Sequence, residues 1–142
     1  MSDTTTPRPV YRNIHVTQIV RYRLPPAGIV SILHRVSGAL MFVLLPFVIW
    51  MFDASVSSEA SYDAFTSAFT AGLGPFAGWF LKLVVLALIW AYLHHAIAGV
   101  RHLWMDMTHS VSKAQGHSSA LVTLVASVAL TLVLGAKLFG LY

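Results

Sequence analysis

The 142-residue chain contains no cysteine and few charged residues. Without cysteine, disulfides, thiolate catalysis and cysteine-ligated iron–sulfur clusters are excluded, so any metal must be held by histidine or carboxylate. Only 10% of the residues are charged, whereas soluble domains carry about a quarter. Together with 57% hydrophobic residues and a mean hydropathy of +0.73, this deficit indicates an integral membrane protein.

Three apolar runs predict transmembrane helices at about residues 29–52, 76–104 and 119–141. The predicted fold class is an all-α membrane protein, and we expect residues 1–142 to form a single membrane domain. Residues 1–28 are polar and interrupted by prolines, and they lack the apolar core of a cleavable signal peptide. We expect a short surface helix within residues 53–75.

Lysine and arginine are absent from residues 53–75, although five arginines precede or lie just inside the first span. Arg101 and Lys113 flank the loop after the second span. The positive-inside rule therefore predicts a cytoplasmic N-terminus and a cytoplasmic 105–118 loop, with Tyr142 on the opposite side. Topology also accounts for the net charge of +4, so no nucleic-acid binding is expected.

The second span ends with three residues that share one helical face. His95 and His102 lie two turns apart, and Gly99 lies between them. An imidazole deep in an apolar helix needs a partner, either a polar group of a neighbouring helix or a metal such as haem iron. Gly99 would leave room for a flat macrocycle, which favours haem and membrane-bound electron transfer.

His94 precedes the candidate ligand directly and points about 100° around the helix. It does not align with Gly99 and His102. We therefore predict that His95 is the ligand and that His94 is a polar residue that supports it or contacts a neighbouring helix.

The first span opens with a second polar group. Ser31 and Arg35 are four residues apart, and His34 lies on the same flank. Such a pocket at the membrane boundary could hydrogen-bond a quinone carbonyl or pair with a haem propionate. The alternative is an ordinary helix entry with a capping serine and a snorkelling arginine.

A second axial ligand is difficult to find within the chain. Helical rise places His34 about 7 Å and His95 about 13 Å inside the boundary, and one iron needs both ligands at one depth. The third span has no histidine, methionine or cysteine, and His15, His109 and His117 lie in polar segments. The missing ligand is therefore expected from another chain.

These residues resemble the cytochrome b membrane-anchor subunit, the larger anchor, of bacterial succinate dehydrogenase (succinate:quinone oxidoreductase, complex II). The resemblance covers nearly the whole chain. The motifs that carry it are Arg8-Pro9-Val10, Ser31-Ile-Leu-His34-Arg35-Val-Ser37-Gly38 and His95-x-x-x-Gly99-x-Arg101-His102-x-x-x-Asp106. This sequence departs from the family at the doublet formed by His94 and His95.

The resemblance implies a haem b held between this chain and a second three-helix anchor subunit, with His95 as the axial ligand of the iron. Ser31 and Arg35 match residues that line the ubiquinone site. His34 matches a residue near the haem propionates, a region that also includes Arg35, and His102 is a possible supporting residue.

The resemblance also implies a place in the bacterial inner membrane, with a periplasmic C-terminus. An iron–sulfur subunit and a flavoprotein subunit would dock on the cytoplasmic face. The chain would pass electrons to ubiquinone in the respiratory chain and the tricarboxylic acid cycle, without oxidising succinate itself. Two alternatives stay open: a fumarate reductase anchor, and a small transporter or structural membrane subunit without haem.

Overall fold

The structure, a computed structural model, describes residues 15–109 and 111–142, and these are almost entirely helical. Arg8-Pro9-Val10 and Arg12 lie outside the described residues. Within the described part the only β-type pairing is a single bridge between Leu73 and Phe76. The helices are α1 (Val16–Arg21), α2 (Pro26–Val43), α3 (Leu45–Val56), α4 (Glu59–Ala68), α5 (Gly78–Thr108) and α6 (Lys113–Leu138).

Three of these helices, α2, α5 and α6, are long and apolar enough to cross a bilayer. This confirms the prediction of an all-α membrane protein with three spans. The predicted surface helix is also confirmed, because α4 lies between the first two spans and begins with a capping box formed by Ser58 and Ser61.

The first apolar run, predicted as one helix over 29–52, is two helices in the structure. The helix breaks at Leu44, two residues before Pro46. Proline has no N–H to donate and its ring clashes with the carbonyl four residues earlier, so it interrupts the ladder of hydrogen bonds. The apolar residues continue into α3, which packs against α4.

The other two spans begin or end outside the predicted apolar runs. Helix α5 continues to Thr108 and ends where His109 adopts a left-handed conformation with φ 54°. Helix α6 begins at Lys113 because Ser112 and Gln115 form a capping box. Helices extend into polar sequence where local caps permit, so the edges of hydropathy do not mark their ends.

Helices α5 and α6 pack closely through a stripe of small residues on α6. The stripe consists of Ala120, Thr123, Ser127, Thr131 and Gly135, all buried. Small side chains let two backbones approach, which is how membrane helices gain packing energy. The hydroxyls return hydrogen bonds to carbonyls of α6 itself, so they are buried at little cost.

The bundle has two chemically different ends. Helix α2 begins, α5 ends and α6 begins at one end, which carries Arg23, Arg101 and Lys113; we name it the basic end. Asp53, Glu59 and Asp63 belong to the α3–α4 region at the far end.

Candidate functional site

The two adjacent histidines of α5 face different helices. His94 is fully buried and contacts Ser127 of α6. His95 is half-buried and contacts Ser37 and the His34 carbonyl of α2. The angular step between consecutive helical residues produces this division.

A hydrogen bond fixes the protonation pattern of His95. Its Nδ1 lies 3.0 Å from the backbone carbonyl oxygen of His34. A carbonyl only accepts, so Nδ1 carries the proton and donates it, which leaves an unshared electron pair on Nε2. No hydrogen bond occupies His95 Nε2 among the described residues. Metal-binding histidines typically donate their other ring N–H in this way.

Gly38 makes the position of the His95 ring possible. A Cβ at residue 38 would lie 2.9 Å from His95 Cε1 and 3.2 Å from its Nδ1, which is too close for carbon. The sequence instead predicts that Gly99 provides space for a macrocycle. A Cβ at Gly99 would lie 3.8 Å from His34 Nε2, an ordinary contact, so Gly99 faces His34.

His34 stacks on His95, with ring centroids 4.0 Å apart and planes inclined by 15°. The predicted difference in depth between the two histidines is therefore wrong. Helix α5 extends 13 residues beyond His95 at the basic end, whereas only 8 residues of α2 precede His34, so the helix ends are offset. Their stacking still keeps the pair from binding one iron axially, because axial ligands approach from opposite sides.

The remaining polar residues of the predicted site lie towards the basic end. His102 is tilted against His34, with ring centroids 5.3 Å apart. Arg35 is exposed and its Nη2 donates to Ser31 Oγ over 3.5 Å, a long hydrogen bond. The structure thus places the five residues predicted for the site in two groups. His34 contacts both His95 and His102, and Arg35 contacts Ser31.

Below the histidines, the groove between α2 and α5 becomes apolar. A cavity of ≈ 480 Å³ lies there, with Met41 at the end of α2 and Leu45 at the start of α3 on one side and Leu88 and Tyr92 of α5 on the other. Met41 follows Gly38 by one turn, and Tyr92 precedes His95 by one turn. The same groove therefore has a polar half towards the basic end and an apolar half towards the far end.

His94 belongs to the interface between α5 and α6. Its Nδ1 lies 3.2 Å from Ser127 Oγ, and Trp90 stacks on the ring with centroids 5.5 Å apart. Its Nε2 is buried without a hydrogen-bond partner among the described residues. The ring is enclosed on all sides by this chain, which leaves no open approach for a macrocycle.

Arg101 joins the ends of two spans. It turns towards α6, where its Nε donates to Ser119 Oγ over 2.9 Å and its Nη2 donates to the Gly116 carbonyl over 3.2 Å. Sequence reasoning missed Ser119, as it missed Ser37 and Ser127, because single serines in apolar helices carry no signal of which helix they face.

An all-helical chain with three membrane spans and histidines clustered in an intramembrane groove defines a class, the polytopic membrane proteins with an internal histidine site. The particular family is then shown by comparison. The chain belongs to the succinate dehydrogenase/fumarate reductase transmembrane subunit family, whose sequence model matches residues 5–134. This confirms the resemblance to the cytochrome b anchors of succinate dehydrogenase.

Individual relatives agree with the family. The succinate dehydrogenase cytochrome b556 subunit of Coxiella burnetii is 31% identical over 109 residues, which cover 77% of this chain and 82% of the relative. The protein of the same name from Paracoccus denitrificans is 29% identical over 109 residues, with 77% and 78% covered. That of Rickettsia felis is 25% identical over 113 residues, with 80% and 82% covered.

Proposed function

We propose that this chain is a haem b-binding membrane anchor of succinate dehydrogenase that passes electrons from an iron–sulfur subunit to ubiquinone. The observation that carries the proposal is the state of His95. Its Nδ1 is committed to the His34 carbonyl, and its Nε2 keeps a free electron pair inside a groove between two spans. The names of the relatives, all cytochrome b556 subunits, support haem as the partner.

The groove fits haem in three respects. His95 would supply an imidazole nitrogen to the iron, the apolar half would cover the macrocycle, and the polar half would face the propionates. We assign the propionate region to His34 and Arg35, with His102 in a supporting position. When bound, haem supplies a one-electron carrier, and burial with hydrogen bonding to the ligand tunes its potential.

The second axial ligand is proposed to come from another chain. His34 stacks face to face with His95, and the third span offers no ligand. A second three-helix anchor subunit that covers the groove would provide it. Iron–sulfur and flavoprotein subunits would complete the proposed complex and would carry out succinate oxidation, because the described residues form a membrane bundle and short helices outside its spans.

Ser31 and Arg35 are proposed to bind ubiquinone. They lie in contact near the start of α2, and Arg35 is exposed. A guanidinium donates hydrogen bonds and keeps its charge, so Arg35 can orient a quinone carbonyl and stabilise negative charge on its oxygen during reduction. Ser31 can supply a second donor.

The basic end is proposed to face the cytoplasm of a bacterium, with the chain in the inner membrane. The α3–α4 region carries acidic residues and no lysine or arginine, which supports this orientation. Reporter domains fused at Ser58 and at Gln115 are expected to report opposite sides, with Gln115 cytoplasmic. Both reporters on one side would contradict the crossing of α5.

The haem assignment is tested by two variants of the assembled complex. His95→Ala removes the proposed ligand and is expected to abolish or strongly reduce the b-type absorbance. His94→Ala should keep the haem, because His94 faces α6. Normal haem content in His95→Ala, with the soluble subunits still attached, would contradict the assignment.

The family also contains fumarate reductase anchors, which makes this the second candidate. Both readings use the same site, with the direction of electron flow reversed. Relative rates of succinate oxidation and fumarate reduction by the purified complex, measured with ubiquinone and menaquinone analogues, separate the two.

A further inference from the structure

A second cavity lies at the basic end, away from the histidine groove. It measures ≈ 790 Å³ and is bounded by the start of α2, the end of α5 and the start of α6. Pro26, Met105 and Val111 contribute apolar wall. Three basic side chains also line it: Arg101, Lys113 and His117.

Arg101 is the unusual member of this lining, because it is only 8% exposed. Its Nε and Nη2 donate to neutral oxygens of Ser119 and Gly116, so its charge has no carboxylate partner there. Its Nη1 makes no hydrogen bond to a described residue. A buried cation favours a counterion, and Arg101 lines the cavity, through which an anion could approach it.

The described lining residues of this cavity include no aspartate or glutamate. The first turn of α6 adds the positive end of a helix dipole beside Lys113. An occupant that satisfies the cavity must therefore carry an anionic group for the basic residues and an apolar part for the remaining wall.

We propose that this cavity binds the phosphate headgroup of an anionic phospholipid, with its acyl chains against the apolar wall. The cavity lies at one end of the three candidate membrane spans, where lipid headgroups are expected. Basic pockets between membrane helices are suited to such headgroups. A carboxylate from a neighbouring subunit would satisfy the charge but would leave a space of this size and apolar character largely unfilled.

The test uses the purified, delipidated complex and follows its thermal midpoint during lipid addition. Phosphatidylglycerol is expected to raise the midpoint, whereas phosphatidylcholine and inorganic phosphate at equal concentration should not. Lys113→Gln is expected to weaken the response to phosphatidylglycerol by roughly fivefold in apparent affinity. The matched control is Lys137→Gln, an exposed lysine near the other end of α6, which should leave the response unchanged.

Arg101→Gln should reduce the response further, but this buried residue also joins α5 to α6, and its loss can impair folding. Lys113 is exposed, so its variant keeps the test independent of folding.

An equal response in Lys113→Gln and the wild type would overturn the proposal. Stabilisation by inorganic phosphate alone would reduce the site to an adventitious ion only. Loss of the iron–sulfur subunit from Lys113→Gln, with lipid response intact, would assign the cavity to a protein partner. Haem content and quinone reduction do not enter these outcomes, so the result is separate from the proposed function.

Discussion

Helix α5 has one closed face and one open face, and consecutive histidines mark the two. On the closed face, His94 is fully buried against Ser127 and Trp90, within a stripe of small residues from α6. On the open face, His95 is half-buried in a groove beside α2, with one nitrogen fixed and the other free. His94 and His95 are residues of the same type, but their surroundings differ.

If His95 is the ligand, as proposed, burial alone does not identify a ligand in a membrane helix. The more buried histidine has the surroundings of a structural residue, and the less buried one has the geometry of a metal ligand. A ligand for a group shared between subunits must remain reachable from outside its own chain. The open face should therefore govern cofactor and quinone chemistry, and the closed face should govern stability.

The largest effect is expected from Arg35→Ala, beside the open face. Removing a donor that stabilises developing negative charge typically lowers the rate about a hundredfold or more. Succinate-to-ubiquinone electron transfer should fall accordingly, while the soluble subunits still reduce an artificial dye. Ser31→Ala should give a milder loss of the same kind.

Assembly is the control for these variants, because the soluble subunits must remain attached to the membrane. A wild-type rate of quinone reduction in assembled Arg35→Ala would remove Arg35 from the quinone site. Parallel loss of both activities would show a structural role instead.

A pair of glycine variants tests the geometry of the groove. In Gly38→Ala, the new Cβ would meet the His95 ring at 2.9 Å, so the ring must move. We expect haem binding to weaken by roughly tenfold, the effect of overpacking by a single methyl. Gly99→Ala adds the same methyl at 3.8 Å from His34 and should change haem content little. If Gly99→Ala lowers the haem content per complex more than Gly38→Ala does, the cofactor lies beside Gly99.

The closed face is tested by Ser127→Ala. This change leaves His94 Nδ1 buried without a partner, at a cost of about 1–3 kcal/mol in the free energy of unfolding. Ser67→Ala is a matched control, since both hydroxyls donate to a carbonyl three residues earlier, but Ser67 is exposed on α4. Thermal unfolding should separate the two variants while the haem spectrum stays normal in both. A changed haem spectrum in Ser127→Ala alone would connect the closed face to the cofactor.

Much of the difference between the closed face and the open face of α5 could be predicted from the sequence. Helical periodicity is a local property, so the chain alone indicated that His95 aligns with His102 and that His94 points elsewhere. The three spans followed from hydropathy. The break at Leu44 was also readable in principle, because Pro46 lies two residues beyond it.

Relations between helices could not be predicted in the same way. The predicted depth of His34 requires that the helix ends align, whereas the packing of two helices fixes their axial offset. The close approach of Gly38 to His95 joins residues far apart in sequence. Similarly, the bond from Arg101 to Ser119 depends on how the α5–α6 loop turns.

Chemical rescue distinguishes His95 from His94 as the residue whose free nitrogen would bind haem iron. His95→Gly and His94→Gly complexes are prepared, and their optical and electron paramagnetic resonance spectra are recorded before and after imidazole is added. We expect His95→Gly to lose the six-coordinate, low-spin signature and imidazole to restore it, whereas His94→Gly retains it throughout. Rescue of His94→Gly, with a normal spectrum in His95→Gly, would contradict the assignment of His95 as the ligand.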